Sequence, residues 1–125
     1  MSESPKRIMV VEDEATTSLF FSFVLKKAGY IVCCKVSSGE EALKQLQHVA
    51  LPDLIVMDLG LAGKMDGVQT AHAIRERGLV PLLFVSGYDD EQTHARLQSF
   101  EKWAYLTKPV RPELLLQKIQ QLLLD

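Results

Sequence analysis

Leu54-Ile55-Val56-Met57-Asp58 is a run of four apolar residues that ends on a carboxylate, and Ile8-Met9-Val10-Val11-Glu12-Asp13 has the same form. Short runs of this kind, bounded by polar or turn residues, mark strands buried on both faces of a parallel sheet. In an open α/β sheet the ligand site lies just past the carboxyl ends of the strands. Two strands therefore deliver Glu12, Asp13 and Asp58 to one shallow cleft. Three crowded carboxylates repel each other, and a divalent cation is the ordinary remedy. Two more runs, Leu82-Leu83-Phe84-Val85 and Trp103-Ala104-Tyr105-Leu106-Thr107, end in Ser86-Gly87 and Lys108-Pro109. They add a hydroxyl and an ammonium to the same edge. Such a set suits phosphoryl chemistry: cation and lysine neutralise phosphate oxygens while the hydroxyl donates a hydrogen bond. An aspartate is also a competent nucleophile toward phosphorus.

Outward from these runs, strand and helix signals alternate along the whole chain, the pattern of a parallel sheet covered by helices on both faces. The expected strands are 7–11, 30–36, 54–57, 82–85 and 104–107. The expected helices are 15–28, stopped by Gly29; 38–49, opened by a Ser38/Glu41 capping box; 66–78, capped by Asp66; 90–100; and 112–124, opened by Pro112. Nothing in the chain reads as a linker, a repeat or a second domain, so residues 1–125 are expected to form one domain.

The 125 residues are 47% hydrophobic and 24% charged, enough for one substantial core and unlike a disordered chain. A net charge of −2 argues against a nucleic-acid-binding surface. No apolar stretch approaches membrane-spanning length, and the polar start has no signal-peptide core. Cys33 and Cys34 are adjacent, and on a regular strand they point to opposite faces, so neither a disulfide nor a zinc pair is expected. A cytoplasmic location fits best. His48, His72 and His94 are dispersed on the expected helices without ligand spacing and read as surface histidines. The segment Gly60-Leu61-Ala62-Gly63-Lys64 is too short for a phosphate loop, and Met65 stands where a metal-binding hydroxyl belongs.

Five motifs in order, Met9-Val10-Val11-Glu12-Asp13-Glu14, Val56-Met57-Asp58, Met65-Asp66-Gly67, Val85-Ser86-Gly87 and Leu106-Thr107-Lys108-Pro109, make the chain resemble the receiver domain of bacterial two-component response regulators from end to end. The resemblance implies a doubly wound, flavodoxin-like (βα)5 fold with strand order 2-1-3-4-5. It implies that Asp58 accepts a phosphoryl group from a phosphohistidine on a histidine kinase or histidine phosphotransfer protein. It implies Mg²⁺ held by Glu12, Asp13, Asp58 and the backbone carbonyl of Gly60. Lys108 then pairs with the phosphoryl group, Ser86 moves to hydrogen-bond it, and Tyr105 swings inward after Ser86. The Lys108–Pro109 bond is implied to be cis. With no output domain, the signal is expected to leave by binding a downstream protein, from a monomer or a phosphorylation-dependent dimer, and the only catalysis is self-directed: transfer and autodephosphorylation. Tyr88, two past Ser86, is expected to line the route of an attacking water.

The chain departs from the family pattern in one loop. Receivers commonly have a proline shortly after the phosphoacceptor; here Leu59–Lys64 carries two glycines and is one residue longer, and is expected to be more mobile. Glu12 stands where many receivers have Asp, and its longer arm is expected to reach the metal through water. A Mg²⁺-dependent phosphohydrolase of the haloacid dehalogenase type is the competing enzyme reading. It needs a second aspartate two residues after the nucleophile, where this chain has Gly60. A flavodoxin-like cofactor binder is disfavoured because Glu12-Asp13-Glu14 repels a flavin phosphate.

On the first helix Thr17, Phe20, Phe21, Val24, Leu25 and Ala28 share one face at 100° per residue, leaving Leu19 and Phe23 outside it. These two are expected to be exposed beside the cleft, as a docking patch for the histidine donor. On the last helix Leu115, Ile119 and Leu122 face the sheet, with Leu116 and Leu123 flanking, while Leu114 and Leu124 lie off that face.

Overall fold

Every residue of Leu54–Asp58 and Leu82–Ser86 is buried, as continuous apolar runs between two helical layers must be. The computed structural model describes residues 4–61, 63–87 and 91–124. Its elements are β1 (Arg7–Val11), α1 (Ala15–Lys27), β2 (Ile31–Val36), α2 (Gly39–Gln45), β3 (Leu54–Asp58), α3 (Gly67–Arg75), β4 (Leu82–Ser86), α4 (Glu91–Leu97), β5 (Trp103–Thr107) and α5 (Pro112–Leu124). The five strands are all parallel, in the order β2-β1-β3-β4-β5. The chain order reverses between β1 and β3, which opens a crevice at their carboxyl ends.

Alternation along the strands divides the core in two. Met9, Val11, Ile55, Met57, Leu82 and Phe84 face Ala42, Val68, Ala71, Ile74 and Leu97 of α2, α3 and α4. Ile8, Val10, Leu54, Val56, Leu83 and Val85 face Phe21, Val24 and Leu25 of α1 and Leu115, Ile119 and Leu122 of α5. On α1 Phe21, Val24 and Leu25 are buried as the periodicity marks, but Ala28 is exposed and Ser22 is buried instead. On α5 the marked face holds, and Leu114 and Leu124 lie exposed off it as expected.

Local signals explain the boundaries. The helix α1 closes in a Schellman motif: Gly29 takes φ +96, its N–H donates to Lys26 O at 3.0 Å, and Tyr30 N–H donates to Leu25 O at 3.0 Å. Three helices end earlier than the sequence pattern suggests. Past Gln45, Arg75 and Leu97 the chain tightens into bonds spanning three residues, such as His48 N–H to Gln45 O, Arg77 N–H to Ile74 O and Phe100 N–H to Leu97 O. Apolar periodicity persists through such a turn although the α-helix has ended. The Ser38 cap is half of the expected box. Its hydroxyl accepts from Glu41 N–H at 3.1 Å, but the Glu41 carboxylate accepts from the Ser37 hydroxyl at 2.8 Å instead.

The expectation that Cys33 and Cys34 point to opposite faces is overturned. Ile8 pairs with Val32 but Met9 pairs with Cys34, so the register slips by one residue and Cys33 is the extra residue of a β-bulge. Both thiols therefore pack against the same core layer. Burial, and next the neighbouring Cys34 thiol, push Cys33 up to about 11. Both cysteines are free.

Candidate phosphoryl-transfer site

Four of the five strands deliver a polar group of the site at the carboxyl edge. Glu12 and Asp13 follow β1, Asp58 and Ser86 are the last residues of β3 and β4, and Lys108 follows β5. Backbone bonds carry the ladders past the strand ends: Glu12 N–H donates to Val36 O at 3.0 Å, Leu59 N–H to Val85 O at 2.9 Å and Lys108 N–H to Ser86 O at 2.8 Å. The side chains are thereby set by the sheet rather than by free loops. Lys108 precedes a cis peptide bond to Pro109.

The four charged groups converge. Glu12, Asp13 and Asp58 each present a carboxylate oxygen within 4.8 Å of the others. The Lys108 ammonium stands 2.8 Å from Glu12 Oε1 and 3.4 Å from Asp58 Oδ2. Glu12 Oε2 accepts from Glu14 N–H at 3.0 Å, and Asp58 Oδ1 accepts from Gly60 N–H at 2.9 Å. Glu12 and Asp58 are only 2% and 3% exposed, while Asp13 opens to solvent. Sheet alternation places Ser86, 4% exposed, on the same face as Phe84, and Phe84 pairs with Tyr105.

Electrostatics are tense in this arrangement. Burial pushes Glu12 up to about 7; Lys108 and the Glu14 N–H oppose the rise, and Asp58 adds to it. Burial opposes the charge on Lys108, yet Glu12 and Asp58 together hold it above the ordinary lysine value. The pair looks contradictory, since a salt bridge lowers its acid. The 2.8 Å contact is nevertheless outweighed at Glu12 by loss of water and a second buried carboxylate. An all-oxygen donor set with excess negative charge fits a hard divalent cation, and Glu12, Asp13 and Asp58 are the side chains that could hold one.

The surroundings refine the sequence reading. Tyr105 is half-buried, and its ring packs on that of His94 at 4.4 Å between centroids. His72 stacks on Phe100, also at 4.4 Å, so two of the three histidines have aromatic partners rather than water alone. Leu19 and Phe23 are 63% and 64% exposed, as expected. The apolar groove beside Lys108, however, is lined by Thr17, Phe20, Phe21, Pro109 and Val110, without Leu19 or Phe23. Phe23 instead joins Phe20 and Leu116 in a second groove, farther along α1 against α5. Phe20 thus belongs to the surface as well as the core. Tyr88, and the expected start of the fourth helix at Asp90, lie outside the described residues.

Sequence reasoning missed two ties. Asp66 caps α3 as expected, in a full capping box with Gln69, but it also pairs with Arg96 of α4 at 2.9 Å. Glu40, which no motif in the sequence singles out, accepts from Lys64 N–H at 3.1 Å in the loop after Asp58. Both partners are distant in sequence, and no local pattern signals them.

The chain matches the model of a family described as response regulator receiver domain over residues 8–120. It is 35% identical over 108 residues to the alkaline phosphatase synthesis transcriptional regulatory protein PhoP of Bacillus subtilis, covering 86% of this chain and 44% of that protein. It is 28% identical over 105 residues to the transcriptional regulatory protein PdtaR of Mycobacterium tuberculosis, covering 84% of this chain and 50% of that protein. The chain thus spans about half the length of the curated relatives it matches. Among solved structures, a response regulator receiver protein from Sinorhizobium medicae superposes with a TM-score of 0.87 at 30% identity, over 99% of this chain and 98% of that one. No helix among the described residues is long and apolar enough to cross a membrane.

Proposed function

We propose that this chain, which belongs to the response regulator receiver domain family of two-component systems, works by accepting a phosphoryl group on Asp58 from a phosphohistidine of a histidine kinase or histidine phosphotransfer protein. The observation that carries the reading is the Lys108 ammonium held between Glu12 and Asp58, with Asp13 alongside. An incoming phosphoryl group there meets a nucleophilic carboxylate and a fixed cation at one sheet edge.

Receiver domains use Mg²⁺ at such an acidic pocket. In this chain Glu12, Asp13, Asp58 and the Gly60 carbonyl are the proposed ligands, Glu12 through water because both its oxygens already have protein partners. The bound ion would supply charge neutralisation at the phosphoryl oxygens. The transferring group is close to a metaphosphate, so positioning and charge carry most of the catalysis. Asp58 Oδ2 attacks phosphorus; the bond to the donor imidazole breaks and its electron pair returns to that ring. Lys108 then pairs with the new phosphoryl oxygens instead of Glu12. Ser86, on the same sheet face as Tyr105, turns its hydroxyl to the phosphoryl group, and Tyr105 moves inward behind it.

The output is binding to a downstream protein through the surface of α4, β5 and α5, and the phosphoryl group is lost by self-catalysed hydrolysis. Residues 1–125 act as one signalling module in a cytoplasmic compartment, as a monomer or a phosphorylation-dependent dimer. Leu19 and Phe23 dock the donor, with Phe20 now added at the groove beside Lys108. A Leu19→Ala, Phe23→Ala double variant should accept phosphoryl groups more slowly from its cognate donor but at the native rate from acetyl phosphate. The phosphohydrolase reading has no support at Gly60, whose N–H is turned to Asp58 and which has no acid to protonate a leaving group.

Incubation with acetyl phosphate and Mg²⁺, followed by intact mass, tests the assignment. The native chain should gain one phosphoryl group; Asp58→Asn and an EDTA control should not. An unaltered mass for the native chain refutes the acceptor role.

A further inference from the structure

The loop leaving Asp58 is fixed at both ends. At its start Gly60 N–H donates to Asp58 Oδ1 at 2.9 Å. At its end Asp66 caps α3, and Gly67 backs so closely onto β3 that a Cβ would stand 2.3 Å from Asp58 O. The middle is held from another element. Lys64 N–H donates to Glu40 Oε2 at 3.1 Å, across 24 residues of sequence. Gly63 takes φ +107 to bring the chain round this carboxylate, and a Cβ there would come 3.4 Å from Glu40 Oε1. A non-glycine residue is strained in that conformation.

Glu40 does not float. The first turn of α2 is seated on α3, since a Cβ on Gly39 would lie 2.0 Å from Thr70 Oγ1. The same turn borders the acidic centre, where Glu41 and Ser37 line one small depression with Glu12 and Asp13. A carboxylate that is exposed, but carried on a closely seated turn, therefore accepts from a glycine-containing loop that lacks the stiffening proline.

We infer that Glu40 is a positioning residue for the Asp58 centre: by fixing the loop at Lys64 it holds the backbone beside Asp58 in place before metal binds. The inference rests on the reading of Asp58 as phosphoacceptor with the loop backbone at its metal site. A loop ordered in advance costs less to order on binding, so loss of the grip falls on metal affinity.

The test is calorimetric titration of the native chain, Glu40→Ala and Glu40→Gln with Mg²⁺, with Lys64 amide exchange followed by NMR. Glu40→Ala should bind Mg²⁺ about three- to tenfold more weakly, the range of one net hydrogen bond, and its Lys64 amide should exchange faster. Glu40→Gln should stay within about twofold of native on both counts, because its amide oxygen still accepts from Lys64. Both variants lose the same negative charge, so the comparison separates the hydrogen bond from simple charge attraction. Native affinity in Glu40→Ala, or a loss in Glu40→Gln equal to that in Glu40→Ala, overturns the inference. Acetyl phosphate labelling of the native chain is run alongside: labelling with no Glu40→Ala defect refutes the positioning role alone, whereas absent labelling and absent Mg²⁺ binding refute the Asp58 reading.

Discussion

Glu12 makes the metal-free protein lose stability as pH rises, and replacing it with glutamine should remove that dependence. Its folded-state value is about 7 against an ordinary 4.5. Burial is the leading cause and the buried Asp58 carboxylate adds to it, against the Lys108 bridge. Because the folded value lies above the unfolded one, the native state holds a proton that the unfolded chain has released between these pH values. The associated stability is complete below pH 4.5 and is lost as pH climbs through about 7. A shift of this size corresponds to up to about 3 kcal/mol, a large share of a small domain's stability. Lys108 is also raised, but it remains charged in both states below pH 8 and contributes no slope there. Urea unfolding in EDTA, at pH 5 and pH 8, measures the effect, with the single tryptophan, Trp103, as reporter beside Phe84. Groups away from residue 12 are the same in native and Glu12→Gln proteins, so whatever they contribute cancels in the difference. The native protein should lose about 2–3 kcal/mol more than the variant between the two pH values, with unchanged m. Parallel losses in the two proteins would sink the reasoning.

Three further outcomes follow from the geometry. Asp66→Ala should cost about 1 kcal/mol from the lost α3 cap, with little added by the half-exposed Arg96 bridge, whereas Asp66→Asn should keep most of the cap; urea midpoints distinguish them. Arg75 joins three segments, donating from Nε to Val80 O at 2.9 Å and from Nη2 to Lys102 O at 3.0 Å and to Glu101 O, so Arg75→Ala should lose about 2 kcal/mol by the same assay. Burial, the leading cause that raises the Cys33 thiol, survives removal of Cys34, so Cys33 should still alkylate slowly in a Cys34→Ser background. At pH 8 a thiolate fraction below that of an ordinary cysteine predicts a correspondingly reduced iodoacetamide rate by intact mass.

The strands and the gathering of Glu12, Asp13, Asp58, Ser86 and Lys108 at one edge were legible because they depend on short-range order. An apolar run fixes a buried strand, and the first polar residue after it must emerge at the strand end. The helix ends were less legible, because a tightened last turn at Gln47, Arg77 or Phe100 keeps the apolar spacing while leaving the α-helix. Cys33 and Cys34 were misplaced for a related reason: period-2 alternation assumes an unbroken ladder, and the bulge between them is decided by pairing with β1. The ties from Glu40 to Lys64 and from Arg96 to Asp66 were invisible because side chains on different helices meet only after the helices have packed.

The same geometry bears on which of the two buried carboxylates should react. Glu12 has both oxygens engaged, Oε1 by the Lys108 ammonium at 2.8 Å and Oε2 by the Glu14 N–H at 3.0 Å. Asp58 has one oxygen fixed by Gly60 N–H at 2.9 Å, while its Oδ2 meets Lys108 only at 3.4 Å. A carboxylate oxygen must shed its partners to attack phosphorus, and the attraction of an ammonium strengthens as the two charges approach. The looser oxygen of Asp58 therefore starts closer to reaction than either oxygen of Glu12. The bond from Gly60 also orients the Asp58 carboxylate, presenting Oδ2 to the cleft. On this argument the extra methylene of Glu12 matters less for its own reach to a metal than for drawing Lys108 toward itself and leaving Asp58 available.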